Sequence, residues 1–395
     1  MLSFNFFSIQ IIKNNTMKNI SSYFLLLSVM SLLLTSSCKK DFLDLKPYDA
    51  SPFDDAIVSE TDLEVAVNGV YASLRTSAMY GRTLPMMGDV MADNVFISPV
   101  NSGRYLAFNN YVITSGNGEA DEIWTSAYTT ILRANQCVNA NIGDNANIRQ
   151  LKGEALTVRA LMYFDLINCF ARPYTSGSQS MPGVPLVLDY NPAAQPSRNT
   201  VDEVYTQIVN DLTQAITYMT ATKNSEYISV WVAKGLLAKV FLHMGKWSDA
   251  QLYADAVVNS SGYKLSSATN YLSYWASPAA SSKSETLFEI ALDGTDNNGT
   301  NSLAAMYFQQ SYGDAICDSN FYKTFDSSDV RKKLMSPGSH HGIPGIIVKK
   351  YSNQYNASDK DDIKVLRLSE IYLVLAEAYY RQTNEAGALQ YLNEL

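Results

Sequence analysis

The chain has 395 residues, and its 38 Asp and Glu outnumber its 30 Lys and Arg, which gives a formal net charge of −8 and a pI near 5.0. This acidic balance, without a dense basic block, argues against nucleic-acid binding, because a phosphate backbone requires a basic face. The four cysteines lie at wide spacings and outside any CxxC pair, so they indicate neither a disulfide framework nor a zinc site. The length allows two domains or one large one.

The first 37 residues have the three parts of a secretory signal: a short basic start, an apolar run over 24–34 and small residues. The run is about half of the roughly 20 residues that span a bilayer, which predicts a removable signal. Cys38 follows the small residues directly, so we expect its thiol to be lipidated and to become the mature N-terminus, tethering the protein to a membrane through acyl chains. Thr35 replaces the usual Leu three positions earlier, which leaves open an ordinary signal with a chance cysteine, and Met17 is the expected start of translation.

Helical periodicity recurs along the following part of the chain, after a predicted tether over 38–60. The predicted helices are 61–76, 122–139, 151–170 and 201–219. Thr61 and Glu64 have the spacing of a capping box at the start of the first helix. Segment 81–118 is rich in Gly, Pro, Asn and Asp and predicts long loops with short extended pieces, and 173–196 predicts a connector.

Two later stretches share the residue offsets of a tetratricopeptide-like helix pair. The small, aromatic, turn and small positions are Ala238, Phe241, Gly245 and Ala250 in the first, and Ala376, Tyr379, Thr383 and Ala388 in the second. Between them, 260–345 predicts loops with a few strands, such as 286–290. The pattern therefore predicts stacked helix pairs that are interrupted by large insertions.

Signals for catalysis are weak. The chain contains no GxSxG, HExxH or P-loop motif, and no GxGxxG opens a helix. His243 is interpreted as an ordinary helix residue, and the pair at 340–341 lacks a nearby acidic partner for a metal site. Adjacent carboxylates do not show that two acids face a substrate, so we predict no enzyme activity and no cofactor, with a surface glycoside hydrolase as an alternative.

Signals for ligand binding are stronger, because two loop segments combine aromatic rings with planar hydrogen-bonding side chains, as saccharide sites do. The candidate ligand-binding residues are Arg82, Asp93, Asn94, Arg104, Tyr105, Tyr274, Trp275 and Tyr312. The alternative for any single ring is that it packs a loop onto the helices. A calcium site is an open question for one loop, whose oxygen-bearing side chains are Asp293, Asp296, Asn297 and Asn298.

Several short motifs occur in the order found in the SusD/RagB family of surface nutrient-binding lipoproteins from Bacteroidota, which the chain resembles over its mature length. They lie at 38–44, 153–166, 183–186, 200–212, 231–238, 329–331, 350–351 and 366–378. The resemblance divides the chain into an N-terminal SusD-like region, 61–225, and a C-terminal SusD/RagB-like region, 226–395. Because family members normally continue beyond the helix that contains Glu377, it also implies a C-terminally incomplete chain.

The resemblance implies a mainly α fold, in which tetratricopeptide-like helix pairs form an α-superhelical scaffold with loop-rich insertions and a few short strands. It implies a lipid-anchored protein on the outer face of the cell outer membrane, with a SusC-like TonB-dependent barrel transporter as partner. The implied ligand is an oligosaccharide. A peptide-binding importer subunit and a helical-repeat adaptor for protein partners remain alternatives. The resemblance transfers no individual sugar-contacting residue.

Overall fold

The computed structural model of the protein describes residues 56–395, except for 192, 222, 278–282, 355 and 357–359. The predicted signal, Cys38 and nearly all of the tether lie outside the described residues. Residues 57–395 form one compact unit. The α-helices of the described part are α1 Glu60–Leu74, α2 Thr83–Met91, α3 Leu106–Asn109, α4 Gly118–Asn139, α5 Ala146–Phe170, α6 Val201–Tyr218, α7 Val230–His243, α8 Trp247–Ser260, α9 Tyr271–Ala276, α10 Leu303–Tyr307, α11 Ser319–Thr324, α12 Leu368–Arg381 and α13 Glu385–Asn393.

Helix α5 is the central element of the N-terminal half. Asn145 caps its start, since the Asn145 side chain accepts hydrogen bonds from the backbone N–H groups of Asn147 and Ile148, both at 2.9 Å. Most of its residues are buried on all sides, as expected for a helix enclosed by others, and it packs between α4 and α6. The contact with α6 is close at Gly153, where a Cβ would lie 2.6 Å from Met219 Cγ.

The two predicted helix pairs are confirmed as α7–α8 and α12–α13. Gly245 and Thr383 lie in the turns of the two pairs with positive φ values of 73° and 61°. Ala238 and Ala250 are fully buried between α7 and α8, where small side chains allow a close approach of the helices. The pairs are also neighbours in space, because α12 packs against both α7 and α8. This arrangement confirms a mainly α fold with helix pairs.

The strands of the described part form two small antiparallel sheets inside the insertions. They are β1 Val95–Ile97, β2 Thr286–Ile290, β3 Ala315–Cys317, β4 Met335–His340, β5 Ile343–Val348 and β6 Ile363–Arg367. One sheet has the order β1-β3-β5-β4, and β2 pairs with β6 in the other. Strand β6 leads directly into α12 at Arg367. The predicted strand 286–290 is confirmed as β2, and the insertions carry further strands and short helices.

Two local predictions were wrong. Helix α1 begins at Glu60, and its cap is Ser59, whose hydroxyl accepts from the backbone N–H of Asp62 at 3.2 Å, instead of the predicted Thr61. Segment 81–118, predicted as loops with short extended pieces, contains the extended piece β1, but it also contains the helices α2 and α3, which were not predicted. Over the described part of the chain, no helix combines the length and the apolar character needed to cross a bilayer.

Candidate functional site

Arg82 and Tyr105 form a buried pair at the start of α2. Arg82 Nε donates to Tyr105 Oη at 2.7 Å, and Thr83 Oγ1 lies 3.0 Å from the same oxygen. Tyr105 has no exposed surface and a left-handed φ of 60°, and burial raises the pKa of its hydroxyl. Tyr105 therefore positions Arg82. Its ring has no open face for a ligand, although the sequence predicted Tyr105 as a ligand-binding residue.

Two arginines converge on one amide oxygen next to this pair. Asn301 Oδ1 accepts from Arg82 Nη1 and from Arg104 Nη2, both at 3.1 Å. The Arg104 guanidinium lies over the half-buried Tyr312 ring, with 4.5 Å between Cζ and the ring centroid. Arg104 Nη1 is buried and has no hydrogen-bond partner among the described residues. We call these four residues, Arg82, Arg104, Asn301 and Tyr312, the arginine–tyrosine cluster.

Buried polar contacts hold the loops that carry this cluster. The Asp314 carboxylate accepts from the backbone N–H of Ser102 at 3.0 Å and from the Ser102 hydroxyl. His340 joins a third segment to them, with Nδ1 2.9 Å from Gln309 Oε1 and Nε2 3.0 Å from the Val100 carbonyl oxygen. Because Asp314 and His340 are both nearly fully buried, these contacts fix the positions of Arg104 and Tyr312.

Asp93 and Asn94 lie at the other end of α2 from Arg82. A nine-residue helix spans about 14 Å, so these candidates are separated from the arginine–tyrosine cluster. Asp93 has a left-handed φ of 56°, and its Oδ1 accepts from the hydroxyl of the exposed Tyr111 at 2.9 Å. The Asn94 backbone pairs with Asp318, whose N–H donates to the Asn94 carbonyl at 3.0 Å. These two residues therefore belong to a separate edge of the loop surface.

Tyr274 and Trp275 lie in a third place, on the short helix α9. Tyr274 is buried, and its hydroxyl lies 2.8 Å from Thr286 Oγ1. Trp275 is 8% exposed and lines a cavity of about 720 Å³ together with Tyr271, Lys350, Lys364 and Arg367. We call this space the Trp275 cavity. The structure thus brings four of the eight candidates together, Arg82, Arg104, Tyr105 and Tyr312, and separates the rest.

Sequence reasoning missed several residues at these places: Asn301, Lys350, Lys364 and Arg367. Asn301 lies three residues after Asn298, the last residue of the loop that raises the calcium question, and it is not itself among those candidates. Lys350 and Arg367 both belong to motifs shared with the family, so motif position was a signal that could have found them. No spacing pattern relates Lys350 to Trp275, because they meet only through the tertiary fold.

The loop considered for calcium is held by its own hydrogen bonds. Asp293 Oδ1 accepts from the backbone N–H groups of Thr295 and Asp296, at 2.7 and 2.6 Å. Asp296 also forms an ion pair with Arg75. Within the described residues, no group of three or more His, Cys, Asp or Glu side chains has the arrangement of a metal site.

Comparison with known families identifies the chain. The family model SusD-like_3, described as "Starch-binding associating with outer membrane", matches residues 41–242, and the SusD family model SusD_RagB matches residues 290–395. The chain belongs to the SusD/RagB family. Its described fold, helix pairs with a loop-rich insertion between them, is that of a SusD-like protein.

Curated relatives of this SusD-like chain include two from Bacteroidota. SusD-like protein P2 of Formosa agariphila is 31% identical over 205 residues, covering 50% of this chain and 39% of the relative. A SusD-like protein of Bacteroides ovatus is 25% identical over 305 residues, covering 71% of this chain and 49% of the relative. The chain therefore spans less than half the length of these two relatives.

Solved structures of SusD superfamily proteins are similar over most of the chain. One from Bacteroides vulgatus has a TM-score of 0.79 at 28% identity, covering 86% of this chain and 80% of that one. One from Bacteroides thetaiotaomicron has a TM-score of 0.78 at 26% identity, covering 85% and 80%. A candidate sugar-binding protein from Bacteroides vulgatus is 30% identical with a TM-score of 0.78, covering 86% and 78%.

Proposed function

We propose that this SusD-like protein is a cell-surface lipoprotein that captures oligosaccharides and passes them to a TonB-dependent outer-membrane transporter. The matched family description names starch binding and association with the outer membrane, and one similar structure is a candidate sugar-binding protein. The observation that carries the proposal is the arginine–tyrosine cluster, whose Arg104 retains an unused donor beside an aromatic ring. Binding without chemical conversion is the proposed activity.

The cluster suits a saccharide because a sugar ring has apolar C–H faces and hydroxyl edges. Tyr312 is partly exposed and can cover a C–H face, while Arg104 Nη1 can donate to a hydroxyl. Asn301 holds the Arg104 guanidinium on its other nitrogen, and the planar group rests on the ring. The donor is therefore fixed before the ligand arrives, which lowers the entropic cost of binding.

The anchor and the transporter belong to the same proposal. Cys38 would carry the acyl chains, and the residues after it would form a tether between the membrane and the described unit. Family membership supports the location at the outer membrane, since that association is part of the matched description. The SusC-like barrel partner is proposed from the family resemblance.

The proposal is tested with the purified full chain on glycan and peptide arrays, followed by calorimetry on the glycan that binds. We expect Arg104→Ala and Tyr312→Ala each to weaken the binding of that glycan at least tenfold, which corresponds to about 1.4 kcal/mol. The first substitution removes the hydrogen-bond donor, and the second removes the aromatic ring. Arg381→Ala and Tyr380→Ala are matched controls, since both are exposed on α12 and should leave the affinity unchanged.

Three results would contradict the proposal. Equal losses in the controls would show a general effect of substitution. Binding of peptides without any glycan would make the protein a peptide-binding importer subunit. Conversion of the bound glycan into shorter products by the full chain would make it a glycoside hydrolase.

A further inference from the structure

The Trp275 cavity is distinct from the arginine–tyrosine cluster and has its own lining. Tyr271 and Trp275 of α9 supply aromatic rings, and Leu392 and Leu395 supply apolar wall. Its volume of about 720 Å³ lies within the range of about 300–1,000 Å³ that holds small organic ligands. The cavity is therefore large enough for a short saccharide.

Three cations surround the indole ring of Trp275. Lys350 Nζ lies 4.0 Å from a ring centroid, and Lys364 Nζ and Arg367 Cζ both lie 5.2 Å away. Arg367 pairs with Glu285 at 2.8 Å, and Lys364 lies 3.6 Å from Glu289. Lys350 forms no ion pair within the described part of the chain. One cation of the three thus lacks a carboxylate.

The surroundings disfavour the charge on Lys350. Burial, together with the positive charges of Arg367 and Lys364, lowers the pKa of the Lys350 amine to about 8, and the Asp89 carboxylate opposes this shift. Trp275 Nε1 is also buried and has no hydrogen-bond partner among the described residues, and a buried donor without an acceptor destabilises the fold. An anion that accepts from the indole N–H and lies beside Lys350 would offset both costs.

We propose that the Trp275 cavity binds an acidic saccharide, with Lys350 as the counter-ion of its carboxylate and the rings of Tyr271 and Trp275 against its C–H face. The ligand class rests on the proposed function, which supplies the saccharide, whereas the sign of its charge comes from Lys350. The carboxylates of Glu285, Asp329 and Glu370 also line the cavity, but each is paired with a cation, and Glu394 is exposed. Lys350 lies among aromatic rings, 5.6 Å from the Tyr351 centroid as well, so its charge is screened less than that of a surface lysine. The cavity would select acidic over neutral sugars.

The test compares uronic-acid disaccharides of galacturonate, glucuronate and mannuronate with their neutral counterparts on the full chain, by calorimetry and by tryptophan fluorescence. We expect at least one uronate to bind tenfold or more tightly than its neutral counterpart and to change the fluorescence. Lys350→Met should reduce this preference to within twofold, and Lys350→Arg should keep it. Lys349→Met is the matched control, since Lys349 is the exposed neighbour, and it should retain the full preference. Trp275→Phe should weaken the binding of the uronate, because it removes the indole N–H donor. The fluorescence change should also disappear.

The possible failures are distinguishable. Equal binding of acidic and neutral sugars, unaffected by Lys350→Met, would overturn the cavity proposal and leave saccharide capture intact. Neutral glycans that bind through Arg104 and Tyr312 without any uronate would do the same. A Glu-rich peptide that competes for the cavity better than any uronate would overturn the saccharide class. Absence of binding to every sugar would overturn both proposals.

Discussion

The helical scaffold and the loop surface use arginine in opposite ways. In the scaffold, Arg159 of α5 forms a two-pronged pair with Asp211 of α6, at 2.8 and 2.7 Å, and its third nitrogen donates to Asn135 of α4 at 2.9 Å. In the loops, Arg104 uses one nitrogen on Asn301, lies over Tyr312 and leaves Nη1 without a partner among the described residues. The first arginine joins three helices, and the second has capacity for another molecule.

In a protein with 26 tyrosines and no catalytic motif, this difference indicates which residues are candidates for ligand binding. A buried charged group that is fully paired rigidifies the fold, whereas a buried donor without an acceptor is a cost that a ligand can remove. Arg104 Nη1 and Trp275 Nε1 are both donors of the second kind, and both belong to the proposed ligand sites.

The same substitution at the two arginines tests this difference most directly, and it has the largest expected effect. Arg159→Met leaves the carboxylate of Asp211 buried without its counter-ion, so we expect a loss of about 3–5 kcal/mol in the free energy of unfolding. Arg104→Met should lower the free energy of unfolding by less than about 1 kcal/mol, because Asn301 keeps its hydrogen bond from Arg82. Urea unfolding followed by circular dichroism measures both. Losses of equal size would show that Arg104 is as structural as Arg159.

A pair of glycine substitutions sharpens the description of the scaffold. Gly153→Ala should lower the free energy of unfolding by about 2 kcal/mol, because the new Cβ would lie 2.6 Å from Met219 Cγ. In α1, a Cβ added at Gly69 would have no atom within 4 Å. Gly69→Ala should therefore raise the free energy of unfolding by about 0.5–1 kcal/mol, because alanine has the higher helix propensity. Thermal and urea unfolding of both variants would measure the difference. A stabilising effect of Gly153→Ala would mean that α5 and α6 are not tightly packed there.

A third expected effect depends on pH and concerns Asp165 of α5. Burial raises the pKa of Asp165 to about 7, while the hydroxyl of Tyr80, which donates to it at 2.8 Å, opposes the rise. The folded state therefore binds more protons than the unfolded state between about pH 4 and pH 7, and the contribution of Asp165 to stability falls as pH rises through that window. We expect the stability of Asp165→Asn, relative to the native chain, to increase by about 1–2 kcal/mol from pH 5 to pH 8.

Asp202→Asn is the control for this prediction. Asp202 also accepts from a tyrosine, Tyr174, at 2.6 Å, but it lies exposed at the start of α6. Its substitution removes a tyrosine contact like that of Asp165 without the burial, and the free energy of unfolding is measured at the same pH values. Unfolding curves at several pH values would reveal whether burial or the tyrosine contact causes the effect, and a flat difference for Asp165→Asn would refute burial as the cause.

The scaffold could be predicted because its signals are local. Apolar spacing located α4, α5 and α6 to within a few residues, and the offsets around Gly245 and Thr383 located both helix pairs. The ends were less certain, as Ser59 shows, because a serine and a threonine two positions apart compete for the cap. Periodicity also missed α2, whose sequence contains a proline and a glycine within nine residues.

The sites could be predicted only in part, because they depend on contacts between distant parts of the chain. Arg82 and Arg104 were identified from residue type, but Asn301, which joins them, lies about 200 residues later. Residue type also cannot distinguish a buried ring from an open one. Tyr105 and Tyr312 occur in similar loops, yet the first is enclosed and the second is half-buried.

The adjacency of the helix pairs α7–α8 and α12–α13 has a consequence for how such a protein can change. Because the two pairs pack against each other, the ends of the long segment between them are held close together. The entropic cost of closing such a loop grows only with the logarithm of its length. Lengthening or shortening that segment is therefore inexpensive as long as both pairs still meet. The architecture separates the helical frame from the inserted segment, so new ligand surfaces could be grafted between α8 and α12 without redesigning the helices that support them.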